Sequence, residues 1–481
     1  MVFRGTSLKR LLAVYTLAFS LFATGQVNAQ IFHNPYRVPT AQDPISVFTV
    51  DVNGDGVPDI LFETEGNSTT PTTMDVLFGQ SSRGYIAGPV LTLPNGVGGC
   101  RPLDANRDGK LDLACLHLID EYDIEAATFL GNGDGTFQAP IYSAPMQSQV
   151  GYNDFIAWMF TPTDVNGDGI PDLLIGDALD QWIFVLIGDR TGRFTVKSII
   201  GGYPSSGVSG FFPNASTNIF AMDLNGDGKT DLAFSNGPTV VLGNGDGTFQ
   251  TPKLYDGTYF SCIYRDMDGD GHPDAVCADI VYDDELAILH GNPDGSFNTT
   301  PISTQKYIES DLPSPVYVQD LNGDGIADIV ADSPGGLEVL LGDPGLKFAT
   351  PVHYAVGNPA SNGELSSQFA DMNLDGLIDV VATGPNGIYI SYGRADGSFN
   401  AAPAYEVAQV LGHTAVADFN GDGIPDIAAT GDQNIELSLG NGDGTFKPYS
   451  ALPNGGIDCQ YPRQSRGLDY VSRSKRLERG R

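Results

Sequence analysis

The sequence predicts an all-β protein, a single β-propeller of four-stranded blades, and three observations support this. A nine-residue acidic frame recurs eight times, with 43 to 60 residues from one start to the next. A Gly-rich turn follows each frame, and the segments between them are short and apolar without a helical period. Four short strands in a repeat of this length are typical of a propeller blade. Eight frames favour eight blades, and a seven-bladed ring with one irregular unit is the alternative.

The first unit shows the order of elements. A lone strand is expected at residues 31–38, followed by a strand at 45–50, the acidic frame, and strands at 60–63 and 74–78. The Gly-rich turn before the fourth strand is most regular as Gly-Asn-Gly-Asp-Gly-Thr-Phe at 131–137, 243–249 and 440–446. Its aromatic residue is expected to pack between neighbouring blades. The eighth unit has sequence for its own fourth strand, so ring closure by residues 31–38 stays open.

The acidic frame first occurs as Asp-Val-Asn-Gly-Asp-Gly-Val-Pro-Asp at residues 51–59. Oxygen-bearing side chains stand at positions 1, 3, 5 and 9, glycine stands at position 6, and the carbonyl of position 7 would add a ligand. Such an oxygen set suits Ca²⁺ before Mg²⁺. A metal-free Asx-rich turn is the alternative, but a turn has no evident need for aspartate at position 9. An EF-hand is excluded, because position 12 holds Phe62, Cys115 or another residue without a carboxylate in every unit.

The predicted cofactor is therefore Ca²⁺, about one ion per frame and up to eight in all. The predicted ligands are positions 1, 3, 5, 7 and 9 of each frame, with position 7 contributing its backbone carbonyl. They are Asp51, Asn53, Asp55, Val57, Asp59; Asp104, Asn106, Asp108, Lys110, Asp112; Asp164, Asn166, Asp168, Ile170, Asp172; Asp223, Asn225, Asp227, Lys229, Asp231; Asp266, Asp268, Asp270, His272, Asp274; Asp320, Asn322, Asp324, Ile326, Asp328; Asp371, Asn373, Asp375, Leu377, Asp379; and Asp418, Asn420, Asp422, Ile424, Asp426.

The formal charge of −34 has a local origin. Three aspartates in each of eight frames, with Asp268 in addition, make 25 of the 59 acidic residues predicted ligands. The surface stays acidic even with metal bound, which argues against nucleic acid and anionic membranes as partners. No membrane-inserted segment is expected.

The two ends of the chain differ from the repeats. Residues 1–29 are expected to be a secretory signal peptide, with a basic start, an apolar run at 11–23 and a small-residue cleavage site ending at Ala29. The propeller is expected over 30–456, with the repeats at about 45–453. Residues 457–481 are basic and poor in apolar residues, which predicts a disordered tail. The predicted location is extracellular or on the cell surface.

Four of the five cysteines form two pairs with equal spacing. Cys100 lies four residues before the second frame and Cys115 three residues after it, and Cys262 and Cys277 flank the fifth frame at the same offsets. These offsets hold mostly apolar pairs in the other units, so the two cysteines of a pair are expected to face each other across the flanking strands. Disulfides Cys100–Cys115 and Cys262–Cys277 are predicted, with buried free thiols as the alternative. Cys459 is left over.

The paired motifs Asp-x-Asn-Gly-Asp-Gly-x-x-Asp and Leu-Gly-Asn-Gly-Asp-Gly-Thr-Phe resemble those of the FG-GAP/VCBS repeat family. Its members are calcium-loop β-propellers similar to the head of integrin α subunits. The resemblance covers nearly all of residues 45–453. It implies that the acidic loops lie on one rim and that the variable connections gather on the opposite rim. It leaves function open among adhesion heads, lectin-like binders and polysaccharide lyases.

The expected function is a secreted binding or adhesion module for a carbohydrate or protein ligand, monomeric, with mainly structural Ca²⁺. Candidate ligand-stacking residues in the variable connections are Tyr152, Trp182, Tyr203 and Tyr282, and packing between blades is the alternative for each. No catalytic residue is predicted, since the six histidines are scattered singly and no metalloprotease, nucleophile-elbow or phosphate-loop motif occurs. A polysaccharide-degrading enzyme of the lyase type is the alternative.

Overall fold

Each acidic frame lies between the first two strands of an antiparallel sheet in the computed structural model of the chain. The structure describes residues 36–39, 44–64, 66, 71–79, 85–120, 123–147, 157–177, 182–201, 219–235, 237–255, 259–279, 285–298, 302–306, 314–333, 336–345, 347–355, 367–384, 387–405, 410–431 and 434–447. These residues form strands and turns and contain no helix, so none could cross a membrane as a helix. The protein is all-β, as predicted.

Eight sheets form the blades of a β-propeller, which confirms the favoured blade number over the seven-bladed alternative. Strand β1 (Tyr36–Pro39) precedes blade 1, which contains β2 (Pro44–Val50), β3 (Asp59–Thr64), β4 (Thr73–Gly79) and β5 (Tyr85–Thr92). Blade 2 contains β6 (Val97–Leu103), β7 (Asp112–Leu118), β8 (Asp123–Phe129) and a fourth strand in two pieces, β9 (Ile141–Tyr142) and β10 (Met146–Gln147). Blade 3 contains β11 (Ala157–Thr163), β12 (Asp172–Asp177), β13 (Trp182–Gly188) and β14 (Phe194–Gly201).

The remaining blades repeat the plan. Blade 4 contains β15 (Ile219–Met222), β16 (Asp231–Phe234) and β17 (Val240–Val241), and Lys253 bridges to Val240 where a fourth strand would lie. Blade 5 contains β18 (Tyr259–Arg265), β19 (Asp274–Asp279), β20 (Glu285–Leu289) and β21 (Ile302–Lys306). Blade 6 contains β22 (Ser314–Gln319), β23 (Asp328–Ser333), β24 (Gly336–Leu340), a small hairpin of β25 (Gly342–Asp343) and β26 (Lys347–Phe348), and β27 (Val352–Ala355). Blade 7 contains β28 (Ser367–Ala370), β29 (Asp379–Gly384), β30 (Gly387–Gly393) and β31 (Phe399–Tyr405). Blade 8 contains β32 (Val410–Ala417), β33 (Asp426–Gly431) and β34 (Asn434–Ser438).

The fourth strand of blade 8 comes from the other end of the chain. Strand β1 pairs antiparallel with β34, with Tyr36 opposite Leu437 and Pro39 opposite Asn434. The described residues after Phe446 form no strand, so the eighth unit's own sequence does not fill this place within the described part of the chain. The question left open by the sequence is thereby answered, because the N-terminal strand completes the last blade and closes the ring.

The hydrophobic core is divided into eight clusters, one between each pair of neighbouring blades. The cluster between blades 8 and 1 contains Phe419 and Leu437 of blade 8 together with Ile60 and Phe62 of blade 1, so the ring is closed by packing as well as by pairing. Each blade is covered on both faces by its neighbours, which explains why the second strands are continuous apolar runs rather than alternating ones. Strands β3 and β12 are buried along their whole length.

The aromatic residue that ends the Gly-rich turn packs between blades, as predicted. Phe194 lies in the cluster between blades 2 and 3, and Phe399 lies in the one between blades 6 and 7. The corresponding Phe137, Phe249 and Phe348 are partly buried against the cluster that their own blade shares with the preceding blade.

Both predicted disulfides are present. Cys100–Cys115 joins β6 to β7 and Cys262–Cys277 joins β18 to β19, so each disulfide links the two strands that flank an acidic loop. All four cysteines are fully buried in clusters between blades. Cys459, the expected signal peptide at 1–29 and the expected tail at 457–481 lie outside the described residues.

Candidate metal centres

Each acidic loop is a turn whose side-chain oxygens accept hydrogen bonds from its own backbone. In the first loop, Asp51 accepts from the N–H groups of Gly54 and Gly56 at 2.7 and 2.8 Å, one on each carboxylate oxygen. Oδ1 of Asp55 accepts from the N–H of Val57 at 2.8 Å. The bond from position 6 to position 1 and the bond from position 7 to position 5 occur in all eight loops. The residue at position 5 is exposed in every loop.

The tight wrap depends on left-handed backbone at positions 4 and 6. Gly56 at position 6 has a φ of 82°, a conformation that costs glycine little. Position 4 is glycine in six loops, but Arg107 and Leu374 hold φ values of 60° and 61° there. Side chains rarely take this conformation, so the surrounding hydrogen bonds enforce the loop shape even without glycine.

The aspartate at position 9 links two loops of the same blade. Oδ2 of Asp59 accepts from the N–H of Val52 at 2.9 Å, and Oδ1 accepts from the N–H of Gly79, the first residue of the Gly-rich turn, at 2.9 Å. Both bonds recur in all eight blades, and the position 9 side chain is 0 % exposed in each. The argument that a turn has no need for aspartate at position 9 is therefore wrong, because this residue has a structural role that requires no metal.

The first residue of the Gly-rich turn has no room for a side chain. A Cβ at Gly79 would lie 2.2 Å from the carbonyl oxygen of Pro58, and a Cβ at Gly131 would lie 2.0 Å from that of Leu111. The equivalent distance is 2.0–2.4 Å in all eight blades. The turn between the third and fourth strands therefore lies directly against the acidic loop between the first and second strands, on one rim of the ring.

A comparison with protein-family models also identifies the repeats. A model described as an FG-GAP-like repeat matches residues 164–234, 266–331, 320–382, 371–428 and 418–462, which is more than half of the chain. The chain belongs to the FG-GAP repeat family. No curated protein matches the chain significantly.

Two solved structures are similar to this FG-GAP propeller. One is an Agrocybe aegerita lectin, described for its specific recognition of non-reducing terminal N-acetylglucosamine, which is 21% identical and has a TM-score of 0.45 over 84% of this chain and 92% of the lectin chain. The other is BBS1N in complex with ARL6DN, which is 12% identical and has a TM-score of 0.42 over 84% of this chain and 96% of that chain.

Burial and neighbouring aspartates raise the pKa of the position 9 carboxyls in the FG-GAP loops. Burial, together with the charges of Asp55 and Asp51, raises the pKa of Asp59 to about 6, although the N–H groups of Gly79 and Val52 act to lower it. The same causes raise the pKa of Asp112 and Asp328 to about 6. They raise the pKa of Asp172, Asp379 and Asp426 to about 7. A divalent cation beside such a carboxylate would favour its ionised form.

The donor set of the loops fits a hard cation. Three carboxylates, an amide oxygen and a backbone carbonyl are the ligand types that Ca²⁺ takes in proteins. The oxygens of Asp266, Asp268 and Asp274 in the fifth loop lie within 4.8 Å of one another. In the other seven loops asparagine stands at position 3, so the third oxygen there comes from an amide.

Within the described part of the chain, lysines contact two of the eight loops. The ammonium of Lys447 lies 2.7 Å from Oδ2 of Asp422 in the eighth loop, and that of Lys229 lies 2.9 Å from Oδ2 of Asp227 in the fourth. Both carboxylates occupy position 5. These ammonium groups would compete with a cation for one of its predicted ligands. The fourth and eighth loops are therefore expected to bind a cation less tightly than loops without such a lysine.

A histidine also contacts the fifth loop. Nε2 of His290 lies 3.0 Å from Oδ2 of Asp268 and 3.7 Å from Oδ2 of Asp270. Burial lowers the pKa of His290, but the carboxylates of Asp274 and Asp268 outweigh it and raise the pKa above its ordinary value. Sequence reasoning missed this contact because it treated the histidines as isolated. The available signal was that His290 stands where the other units have an apolar residue before the Gly-rich turn.

The predicted aromatic ligand residues are only partly described. Trp182 begins β13, is half-buried and packs against the cluster between blades 2 and 3. Its indole Nε1 is buried without a hydrogen-bond partner. Tyr152, Tyr203 and Tyr282 lie outside the described residues. Their part in ligand binding stays a prediction.

Proposed function

We propose that this protein is a secreted, calcium-binding FG-GAP propeller that acts as a binding or adhesion module for an extracellular carbohydrate or protein ligand. Its Ca²⁺, about one ion per loop, is mainly structural. The observation that carries the metal assignment is the set of three aspartates at positions 1, 5 and 9, which recurs in all eight loops with a fourth side-chain oxygen at position 3. An ion that binds only the folded loops stabilises the fold by mass action.

Export is supported by the two disulfides. Cys100–Cys115 and Cys262–Cys277 are structural links between strands, and such disulfides persist in oxidising compartments outside the cytosol. Calcium is abundant in extracellular fluid, where even sites of modest affinity are occupied. The proposed signal peptide at residues 1–29 agrees with this location.

Ligand binding is assigned to the rim opposite the acidic loops, where the connections vary in length. The connection between β14 and β15 spans residues 202–218, whereas that between β29 and β30 spans only 385–386. The described β7–β8 turn carries two exposed aliphatic side chains, Leu118 and Ile119, which are 49% and 42% exposed. Beside it, His117 is hydrogen-bonded to Glu125 at 2.8 Å and packs on the ring of Tyr142. Connecting loops carried on a rigid scaffold are where binding function concentrates.

The metal assignment is tested by calcium titration of the chain from Gln30, after chelation, by calorimetry and thermal melting. Binding of several equivalents with a large rise in Tm is expected. The double variant Asp51→Asn/Asp55→Asn should bind one equivalent fewer. Asp134→Asn is the matched control, because Asp134 is an exposed aspartate of the Gly-rich turn that accepts hydrogen bonds from Thr136 and is no predicted ligand. An unchanged melt in the presence of Ca²⁺ would refute the calcium assignment.

The ligand class is tested with the calcium-loaded protein on a glycan array. Binding to a defined set of glycans that is lost in Trp182→Ala, measured well below the Tm of the variant and with its fold checked by circular dichroism, would support carbohydrate recognition by the variable rim. Release of unsaturated sugar products would instead favour the lyase alternative. If no glycan is bound or cleaved, the carbohydrate branch of the proposal fails and only a protein ligand remains.

A further inference from the structure

The fifth unit departs from the other seven at two positions whose side chains meet. Position 3 of its loop is Asp268, where the other seven loops have asparagine. The residue before its Gly-rich turn is His290, where the other units have Phe78, Leu130, Ile187, Leu242, Leu341, Tyr392 and Leu439. The two departures add a carboxylate to the fifth loop and place an imidazole beside it.

The donor atoms lie close enough to share one small cation. Nε2 of His290 is 3.0 Å from Oδ2 of Asp268 and 3.7 Å from Oδ2 of Asp270, and the three ligand atoms lie within 4.8 Å of one another. Nitrogen and oxygen donors at about 2.0–2.2 Å from a tetrahedral Zn²⁺ are separated by roughly 3 to 3.5 Å. The side chains of His290 and Asp268 are 28% and 23% exposed, so the group is accessible to an ion from solvent.

The side chain at the position of His290 usually packs against the next blade. A Cβ at Gly135 in blade 2 would lie 2.6 Å from the ring of Phe78 in blade 1, and a Cβ at Gly192 in blade 3 would lie 2.7 Å from Leu130 in blade 2. The imidazole of His290 is instead directed at the acidic loop of its own blade. In the sixth unit, Leu346 stands where these two turns have glycine. The fifth unit thus replaces a packing contact between blades with a polar contact to its loop.

The chemistry of this group differs from that of the other loops. Ca²⁺ takes oxygen ligands almost exclusively, whereas imidazole nitrogen is a strong ligand for Zn²⁺ and neighbouring transition metals. One imidazole and two carboxylates supply three donors of the kinds that Zn²⁺ accepts and leave a coordination position for water. Such an ion would use Asp268 and Asp270, which are also predicted calcium ligands of the fifth loop.

We propose that Asp268, Asp270 and His290 form a binding site for a divalent transition metal of the Zn²⁺ class, which competes with Ca²⁺ for the fifth loop. The site gives one blade of the ring a different metal preference from the other seven. Its formation does not depend on calcium uptake elsewhere, because all three donors come from one blade.

The test is a titration of the chelated chain from Gln30 with Zn²⁺ by calorimetry, and with Co²⁺ by visible absorption. One equivalent should bind at least about tenfold more tightly than any further ion, and His290→Gln should weaken it by about tenfold or more. His117→Gln is the matched control, because His117 is hydrogen-bonded to Glu125 in blade 2, away from the fifth loop. In calcium-saturated protein, Zn²⁺ should displace one equivalent of Ca²⁺ from wild type and none from His290→Gln.

A second variant distinguishes loss of the metal site from loss of folding. Asp268→Asn installs the residue of the other seven loops, so it should weaken Zn²⁺ binding by a larger factor than it changes calcium binding. Equal Zn²⁺ affinity in wild type, His290→Gln and Asp268→Asn would refute the site, as would the absence of a tight equivalent in wild type. If the protein binds no Ca²⁺ but binds one Zn²⁺ through His290, the calcium function fails and the transition-metal site stands.

Discussion

Oδ1 of Asp59 accepts a hydrogen bond at 2.9 Å from the backbone N–H of Gly79, twenty residues further along the chain. Through its other oxygen, the same carboxylate accepts from Val52 within the acidic loop. One buried side chain therefore fixes two loops of the blade relative to each other, and the arrangement recurs around the ring. The acidic loop and the Gly-rich turn form one structural unit, and a metal bound to the first would also stabilise the second.

Gly79→Ala should destabilise the propeller even without metal. The added Cβ would lie 2.2 Å from the carbonyl oxygen of Pro58, so the turn must move away from Asp59 and lose the hydrogen bond. Gly56→Ala is the comparison, because its Cβ would meet no atom within 4 Å and the cost is only that of the left-handed backbone, about 1–2 kcal/mol. Thermal and urea unfolding in chelator should show the larger loss for Gly79→Ala. Equal losses would mean that the contact between the two loops contributes little to stability.

The metal-free protein should become less stable as the pH rises from about 5 to 8. The folded-state pKa of the position 9 aspartates is raised from 3.8 to about 6 at Asp59 and to about 7 at Asp172, mainly by burial. A group with a raised folded-state pKa contributes stability that is fully present below its unfolded pKa and is lost as the pH rises through the folded value. Tm in chelator should therefore fall most steeply between the unfolded and folded pKa values, near pH 5 to 6, and level off above about pH 7.

Calcium should reverse this trend. The aspartates of the Gly-rich turns, such as Asp134 and Asp246, have lowered pKa values and lose their stabilising effect only in more acidic solution. Their titration therefore does not change the Tm in the pH range where the position 9 aspartates titrate. Ca²⁺ binds ionised carboxylates, so its stabilising effect should grow with pH as proton competition disappears. Melts in calcium and in chelator should diverge as the pH rises. Parallel curves would contradict metal binding through these aspartates.

Lys447→Gln should raise the calcium affinity of the eighth loop. The ammonium of Lys447 lies 2.7 Å from the position 5 carboxylate of Asp422 and must be displaced or repelled by a bound cation. The second and fourth units carry glutamine at the corresponding place, Gln138 and Gln250, so the substitution follows the repeat. An increase of roughly two- to fivefold is expected, since exposed ion pairs are worth on the order of 1 kcal/mol or less. Calorimetric titration checks this, with Lys253→Gln as a control, whose ammonium lies over the ring of Tyr255. Equal affinities would show that Lys447 does not compete with the ion.

Features set by local spacing could be predicted from the sequence. The acidic loops, the blade number and the two disulfides depend on short repeats, in which Cys100 and Cys115 take offsets that other units fill with apolar pairs. The burial of the turn aromatics also follows, because a large apolar residue such as Phe399 at a fixed point of each unit has only the space between blades to fill.

Features set by contacts between units or by distant pairing could not be predicted. The hydrogen bond between Asp59 and Gly79 depends on how one loop folds over another, and a pattern of residue types does not reveal it. The contact of His290 with Asp268 is visible only when the two departures of the fifth unit are placed on the structure. Pairing of residues near 36 with residues near 437 joins opposite ends of the repeats, and no local signal marks that partner.

Removal of β1 should open the ring at blade 8. A chain that begins at Gln42 lacks the strand that pairs with β34, so the edge of β34 would lose its partner. An unpaired strand edge favours association with another chain. Compared with the chain from Gln30, the shortened chain should show a Tm lower by several degrees and a dimer or larger species in light scattering after gel filtration. Deletion of residues 457–481 serves as the control, because it removes no described strand and should leave both quantities unchanged. An unaltered Tm and mass in the chain from Gln42 would show that packing between blades 8 and 1 holds the ring closed without the N-terminal strand.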